Sequence, residues 1–200
     1  MNPFNPVTIR SQVPIPLESA PDARFFTFDG LPAHAEHFAV VFGEPASEAP
    51  LVRVHSECIT GDAFGSLRCD CGSQLKQAIE MMQPAGGILL YLRQEGRGIG
   101  LVAKLDAYRL QHEQGLDTYA ANEAISLPAD AREYDCAAQM LRAMGVASIQ
   151  LITNNPDKVI QLTKLGINVI ACVSAGTHRT EFNVPYLTAK AQITGHALQM

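Results

Sequence analysis

SIQLITNNPDKVIQLTKLGINVIACV, residues 148–173, reads as strand, helix and strand in turn. Ser148–Ile152 is a short apolar, β-branched run of the kind that forms a buried strand. Asn155 followed by Pro156 supplies an N-cap and a first-turn proline, so a helix opens there; it carries Val159, Ile160 and Leu165 until Gly166 stops it. Ile167–Val173 is the next strand. A chain that alternates in this way builds an α/β layer architecture.

The same rhythm extends upstream. Leu75, Ala78, Ile79 and Met82 recur at helical spacing, Gly87–Leu92 is a short buried strand, and a glycine-punctuated loop leads into a helix over Leu101–Gln114 closed by Gly115. Asp135 caps a further helix running to Met144. Nearer the N-terminus, Arg24–Phe28 and His37–Phe42 are separated by the turn formers Asp29, Gly30 and Pro32 and read as antiparallel strands. Leu51–Glu57 alternates, with Val52 and Val54 on one face and Arg53, His55 and Glu57 on the other. The expected fold is α/β, layered α/β/α, with a mixed sheet extended by N-terminal antiparallel strands. Residues 1–200 are expected to form a single domain, with 1–22 a loosely held tail rich in proline.

Composition narrows the function classes. In 200 residues, 47% hydrophobic content suffices for a buried core and excludes a disordered chain. No apolar stretch approaches the length of a membrane helix, and the first residues have neither a basic nor an apolar leader region, so the expected location is the cytoplasm, with no membrane partner. A net charge of −5 argues against coating nucleic acid, so an anionic ligand must meet a local cluster. Five cysteines without an export signal disfavour a disulfide framework. Cys136 and Cys172 lie in apolar surroundings and are expected in the core.

Cys58, Cys69 and Cys71 are closely spaced, and three thiolates can hold zinc while leaving a fourth position open, as in a catalytic site; buried, inert thiols are the alternative. Such a zinc carries net charge −1 and needs polar helpers. Arg93-Gln-Glu-Gly-Arg-Gly-Ile-Gly100 lets a backbone approach an anion and offers guanidiniums and a carboxylate suited to phosphates and a base edge; a solvated loop is the alternative. Thr153 and Lys158, at the end of a strand, are positioned to meet phosphate, although capping alone explains Asn155. His34 and His37 lack the order of a zinc-binding helix and are expected at the surface.

Taken together, Arg53-Val-His-Ser-Glu-Cys58 through Cys69-Asp-Cys71-Gly, Arg93-Gln-Glu-Gly-Arg-Gly-Ile-Gly-Leu, Asp130-Ala-Arg132-Glu-Tyr and Thr153-Asn-Asn-Pro resemble GTP cyclohydrolase II of riboflavin synthesis. Asn183, Tyr186-Leu187, Lys190 and Gly195-His196 fit as well, whereas the first 45 or so residues match only loosely. The resemblance implies hydrolysis of GTP to 2,5-diamino-6-ribosylamino-4(3H)-pyrimidinone 5′-phosphate, formate and pyrophosphate, with activated water attacking C8 of the guanine. It implies Zn2+ on Cys58, Cys69 and Cys71, Asp130 as proton acceptor, Arg132 as nucleophile and Tyr108 as the active-site tyrosine. A guanidinium is a poor nucleophile, so Arg132 as a clamp on the α-phosphate stands beside that role.

The resemblance assigns Arg53, Val54, His55, Ser56, Glu57, Gln74, Glu95, Gly96, Arg97, Thr118, Thr153 and Lys158 to GTP. Mg2+ accompanies the triphosphate, and a homodimer is implied. Ser126 departs from the family pattern, which has glycine there. Two alternatives stay open: a paralogue that keeps the formyl group or only cleaves pyrophosphate, and a non-catalytic GTP-binding protein with structural zinc.

Overall fold

A computed structural model describes residues 6–32, 35–116, 118–128 and 130–184. In chain order the elements are strands β1 (Thr8–Pro14), β2 (Arg24–Asp29), β3 (Phe38–Phe42) and β4 (Leu51–Ser56), then helices α1 (Ile59–Asp62) and α2 (Cys71–Ala85). Strand β5 (Gly87–Leu92), a 3-10 turn (Glu95–Gly98), and helices α3 (Leu101–Gln114), α4 (Thr118–Ala124) and α5 (Asp135–Ala143) follow. Strand β6 (Ser148–Ile152), helix α6 (Pro156–Lys164) and strand β7 (Asn168–Val173) complete the series. The chain divides into two compact units. One holds the stretch through His55, Lys76–Arg93 and Tyr134–Ala175, and the other holds Ser56–Leu75, Gln94–Glu133 and the chain from Gly176.

The first unit is built on a seven-stranded sheet of order β1-β2-β3-β5-β4-β6-β7. The pairs β1–β2, β2–β3 and β3–β5 are antiparallel, and β4–β6 and β6–β7 are parallel, so the sheet is mixed as expected. Parallel β6 and β7 are joined through α6, whose start follows the sequence signal: Asn155 Oδ1 accepts from the Asp157 amide at 3.0 Å, with Pro156 in the first turn. One face of the sheet gives Ala39, Val41, Val52, Val54, Leu90, Ile149 and Leu151 to a core closed by Met140 and Leu141 of α5 and Leu162 of α6. Strand alternation sends Val40, Phe42 and Leu89 the other way, where Met82 of α2 lies against Gly87. Helices therefore cover both faces.

Three expectations need correction. Residues 8–14 of the presumed tail form an edge strand in register with β2. Every residue of β1 is exposed, so it is held by its backbone ladder and carries no apolar alternation to betray it. Cys172 is exposed because β7 is the far edge strand and its outer face, with Ile170, is left uncovered, and Cys136, in the first turn of α5, is half-buried. Strand β4 ends at Ser56, so Arg53 and His55 share a face as expected but Glu57 lies beyond the strand.

Candidate metal centre and active site

In the second unit, Cys58 immediately precedes α1, Cys69 lies in the turn before α2 and Cys71 opens α2. Their three sulfurs lie within 4.8 Å of one another, and Cys58 Sγ and Cys69 Sγ are 3.7 Å apart. A tetrahedral zinc with Zn–S bonds of about 2.3 Å spaces its sulfurs about 3.8 Å apart, so donor type and spacing both fit zinc. None of the three is in a disulfide. Among the described residues the cluster counts three donors and no fourth.

The local chain is shaped to converge these thiols. The Gly61 and Asp62 amides both donate to the Cys58 carbonyl, at 2.9 and 2.7 Å, and Asp62 Oδ2 accepts from the Cys58 amide at 3.0 Å, which winds one tight turn at the first ligand. A Cβ on Gly61 would stand 3.0 Å from Cys69 Sγ and 3.3 Å from Cys58 Sγ, and one on Gly72 only 2.2 Å from the Gly61 carbonyl oxygen. Gly72 thus permits backbone-to-backbone contact between the ligand-bearing segments, and Gly61 leaves room for the converging cysteine side chains.

Lys104 of α3 is buried beside this cluster; its Nζ donates to Cys58 Sγ at 3.3 Å, to Thr60 Oγ1 at 2.9 Å and to Glu95 Oε1 at 2.9 Å. Hydrogen bonds from Cys69 and Cys71, helped by the Lys104 charge, hold the Cys58 thiol far below its ordinary pKa. The hydrogen bond with Cys58 pushes Cys69 up to about 11, and bonds with Cys58 and Cys69 push Cys71 well above its ordinary value. Burial works against the charge of Lys104, but its bond to Glu95 and the Cys58 charge outweigh it and raise its pKa. The directions make Cys58 the sulfur of the trio that most readily carries negative charge, with two thiols and an ammonium as its partners.

The glycine-rich loop and the Asp130 segment, separate in sequence, meet in this unit. The Ala131 amide donates to the Arg97 carbonyl at 2.9 Å, and a Cβ on Gly98 would come within 2.8 Å of the Ala131 oxygen. Arg97 itself has φ 61, a left-handed conformation that a side chain adopts at a cost of about 1 kcal/mol or more. Arg132 Nε donates to both Asp130 oxygens at 2.9 and 3.1 Å and its Nη2 to Oδ2, a forked pair. Burial raises the Asp130 pKa, but the Arg132 hydrogen bonds and charge outweigh it and lower it. The Arg68 guanidinium lies 4.5 Å from the Tyr108 ring centroid, a cation–π contact. Gln74 is buried with its amide on Asp70 at 2.7 Å, Gln94 donates to Ser56 Oγ at 2.9 Å, and Thr118 opens α4. Ser126 has φ 56, a left-handed conformation that glycine adopts without strain.

In the first unit, Arg53, His55, Thr153 and Lys158 are all buried. Arg53 Nη1 donates to the Ile152 carbonyl at 3.0 Å and Lys158 Nζ to the Val54 carbonyl at 2.7 Å, so two cations stand at the ends of β4 and β6. Val54 has its side chain in the core and offers only its backbone. His55 stacks on Tyr91, Tyr91 on Phe38 and Phe38 on Phe25, at 5.4, 5.0 and 5.8 Å, a row crossing four strands. His37 is half-buried and accepts from the Arg93 amide at 2.9 Å, whereas His34, Tyr186, Leu187, Lys190, Gly195 and His196 lie outside the described residues. Sequence reasoning missed Gly61, Tyr91 and Lys104, and offered Asp62 as a possible fourth ligand where the structure has it accepting from the Cys58 amide. For Lys104 no local signal existed: α3 buries only Lys104 and Ala107 and leaves Leu101, Val102 and Leu105 exposed, so its sequence shows no apolar stripe.

The family model for GTP cyclohydrolase II matches residues 8–174. A GTP cyclohydrolase-2 of Psychromonas ingrahamii is 50% identical over 179 residues, 88% of this chain and 89% of that protein. One of Vibrio vulnificus is 50% identical over 181 residues, 90% and 91% of the two chains. The riboflavin biosynthesis protein RibBA of a Synechocystis strain is 48% identical over 88% of this chain, which spans 32% of that protein.

Proposed function

Because the chain belongs to the GTP cyclohydrolase II family of enzymes, we propose that it opens the imidazole ring of GTP and releases formate and pyrophosphate, leaving 2,5-diamino-6-ribosylamino-4(3H)-pyrimidinone 5′-phosphate at the entry to riboflavin biosynthesis. The observation that carries the reading is the converged thiol trio with no fourth donor among the described residues, which favours a catalytic over a structural metal. Cys58, Cys69 and Cys71 hold Zn2+. When bound, the zinc supplies Lewis acidity that makes water a competent nucleophile near neutral pH.

The chain's own groups do the rest. Asp130, kept ionised by Arg132, accepts a proton. Tyr108 is anchored by the Arg68 cation and orients the groups of the opening ring. A guanidinium paired to a carboxylate stays protonated, which favours Arg132 as a clamp on the α-phosphate over Arg132 as a nucleophile. Arg53, Val54, His55, Ser56, Glu57, Gln74, Glu95, Gly96, Arg97, Thr118, Thr153 and Lys158 bind GTP, with the Lys158 ammonium and the Arg53 guanidinium offsetting phosphate charge. Mg2+ offsets the rest in this acidic protein. We further place the enzyme in the cytoplasm as a homodimer, with the whole chain serving as one catalytic domain; among the described residues no helix is long and apolar enough to cross a membrane.

The test is incubation with GTP, with and without chelator, read by mass spectrometry. Formate and pyrophosphate are expected in near-equal amounts, with formate lost in Cys69→Ser. A product that keeps the formyl carbon rejects the reading in favour of a paralogue, and no turnover with retained GTP binding marks a nucleotide sensor.

A further inference from the structure

We propose that Lys104 is a positioning residue of the metal centre, whose ammonium group hydrogen-bonds the Cys58 sulfur and, through Glu95, ties that sulfur to the backbone of the glycine-rich loop. The inference rests on the zinc reading of the cysteine trio and adds a residue to it. An ammonium has three N–H donors. Here all three have partners: Cys58 Sγ at 3.3 Å, Thr60 Oγ1 at 2.9 Å and Glu95 Oε1 at 2.9 Å. None remains for a substrate, so Lys104 acts through what it holds.

Glu95 is itself fixed from two sides. Its Oε1 accepts from the Gly96 amide at 2.7 Å and its Oε2 from the Ile59 amide at 2.7 Å. The carboxylate therefore bridges the loop turn and the residue directly after the first ligand, and Lys104 closes the circuit onto the ligand's sulfur. Stability does not explain the arrangement. Both side chains are buried, 8% and 9% exposed, and a buried ion pair is commonly matched or bettered by apolar residues of similar volume.

The chemistry of a three-thiolate site supplies the reason. Three anionic sulfurs donate strongly to one divalent ion and damp its acidity. A charged hydrogen bond draws electron density from one sulfur and fixes its direction, as outer-shell partners of metal ligands do. Cys58 is also the ligand whose flanking backbone is held by two carboxylates, Asp62 at its own amide and Glu95 at the next.

The test uses the full chain loaded with zinc and, separately, with Co(II). The dissociation constant is read by competition with a chromophoric chelator, and the sulfur-to-Co(II) charge-transfer band by absorption. Lys104→Met is expected to weaken zinc binding about 10- to 100-fold and to move the band to longer wavelength, because the sulfur becomes a better donor. Lys104→Arg, which keeps a cationic donor, is expected to restore most of both. The double variant Lys104→Met with Glu95→Gln removes the orphaned buried charge and should show the same band shift. Unchanged affinity and band in both Met variants overturn the proposal while the zinc reading stands, as does loss of fold in both, which makes the pair structural. A parent protein that takes up no metal overturns the zinc reading and this inference together.

Discussion

Gly61→Ala tests whether the thiols converge for a metal. The added Cβ would lie 3.0 Å from Cys69 Sγ, 3.2 Å from Cys71 Cβ and 3.3 Å from Cys58 Sγ. Comfortable non-bonded contacts begin near about 3.5 Å, so all three ligands must give way by a few tenths of an ångström. The free Cys58 and Cys69 sulfurs can do so by turning about χ1, whereas the Cys71 Cβ is set by its backbone and burdens both states alike. Thiolates sharing one ion cannot, since their bonds tolerate only about 0.2 Å. The share of the overpacking cost of about 1–3 kcal/mol that arises at the two sulfurs therefore falls on the zinc-loaded state and raises the zinc dissociation constant by up to about 150-fold. Gly61 is helical and not among the positive-φ glycines, so alanine is free of backbone strain and gains up to about 1 kcal/mol in propensity. Chelator competition and thermal unfolding of metal-free and zinc-loaded protein separate the two terms. Parental zinc affinity, or equal destabilisation of both forms, refutes the reasoning.

The proton count of zinc uptake is a second prediction. With Cys58 already a thiolate and Cys69 and Cys71 still protonated, loading near neutral pH should release about two protons, read by calorimetry in buffers of different ionisation enthalpy; three or none contradicts the assignment. Ser126→Gly should raise stability by about 1 kcal/mol by relieving the left-handed φ of 56, measured as a shift in urea midpoint. The lowered Asp130 pKa means that its pair with Arg132 stabilises the fold fully above the unfolded Asp value of about 3.9 and loses that contribution as pH falls through the lower folded value. Asp130→Asn should accordingly leave the pH dependence of the urea midpoint unaltered above about pH 5 and flatten it below about pH 4. Arg132→Lys keeps the charge but loses the fork, and is expected to cripple pyrophosphate release in a coupled phosphate assay; retained turnover rejects both the clamp and the nucleophile.

The parts of the fold legible in the sequence are those whose signal is local. Asn155-Pro156 and Gly166 bound α6 because caps and stops act through neighbouring backbone groups, and Gly115 closes α3 with φ 69 as a left-handed cap does. Strand β1 was not legible, since a strand held only by its ladder to β2 shows no apolar alternation. The burial of Cys172 was misjudged because its neighbours Ile170 and Ala171 are apolar yet exposed on an edge strand. In the site, the thiol trio is visible as a spacing, but the approach of Lys104 across 46 positions to Cys58 is a tertiary fact. The same holds for the Ala131–Arg97 bond that joins two motifs.

Two ion pairs of the second unit, Lys104–Glu95 and Arg132–Asp130, differ in exposure, and the difference suits two roles. Lys104 and Glu95 are 8% and 9% exposed, with the carboxylate further bound to two amides; no aqueous anion can displace such a partner without leaving a buried charge uncompensated. Arg132 and Asp130 are 18% and 35% exposed, and their forked bonds are of the type a phosphate oxygen pair reproduces. On the proposed function, a phosphate that took over the guanidinium would release Asp130 from the main group that lowers its pKa and make it a stronger base. The Ala131 amide, held on the Arg97 carbonyl at 2.9 Å, ties the backbone between these two side chains to the glycine-rich loop.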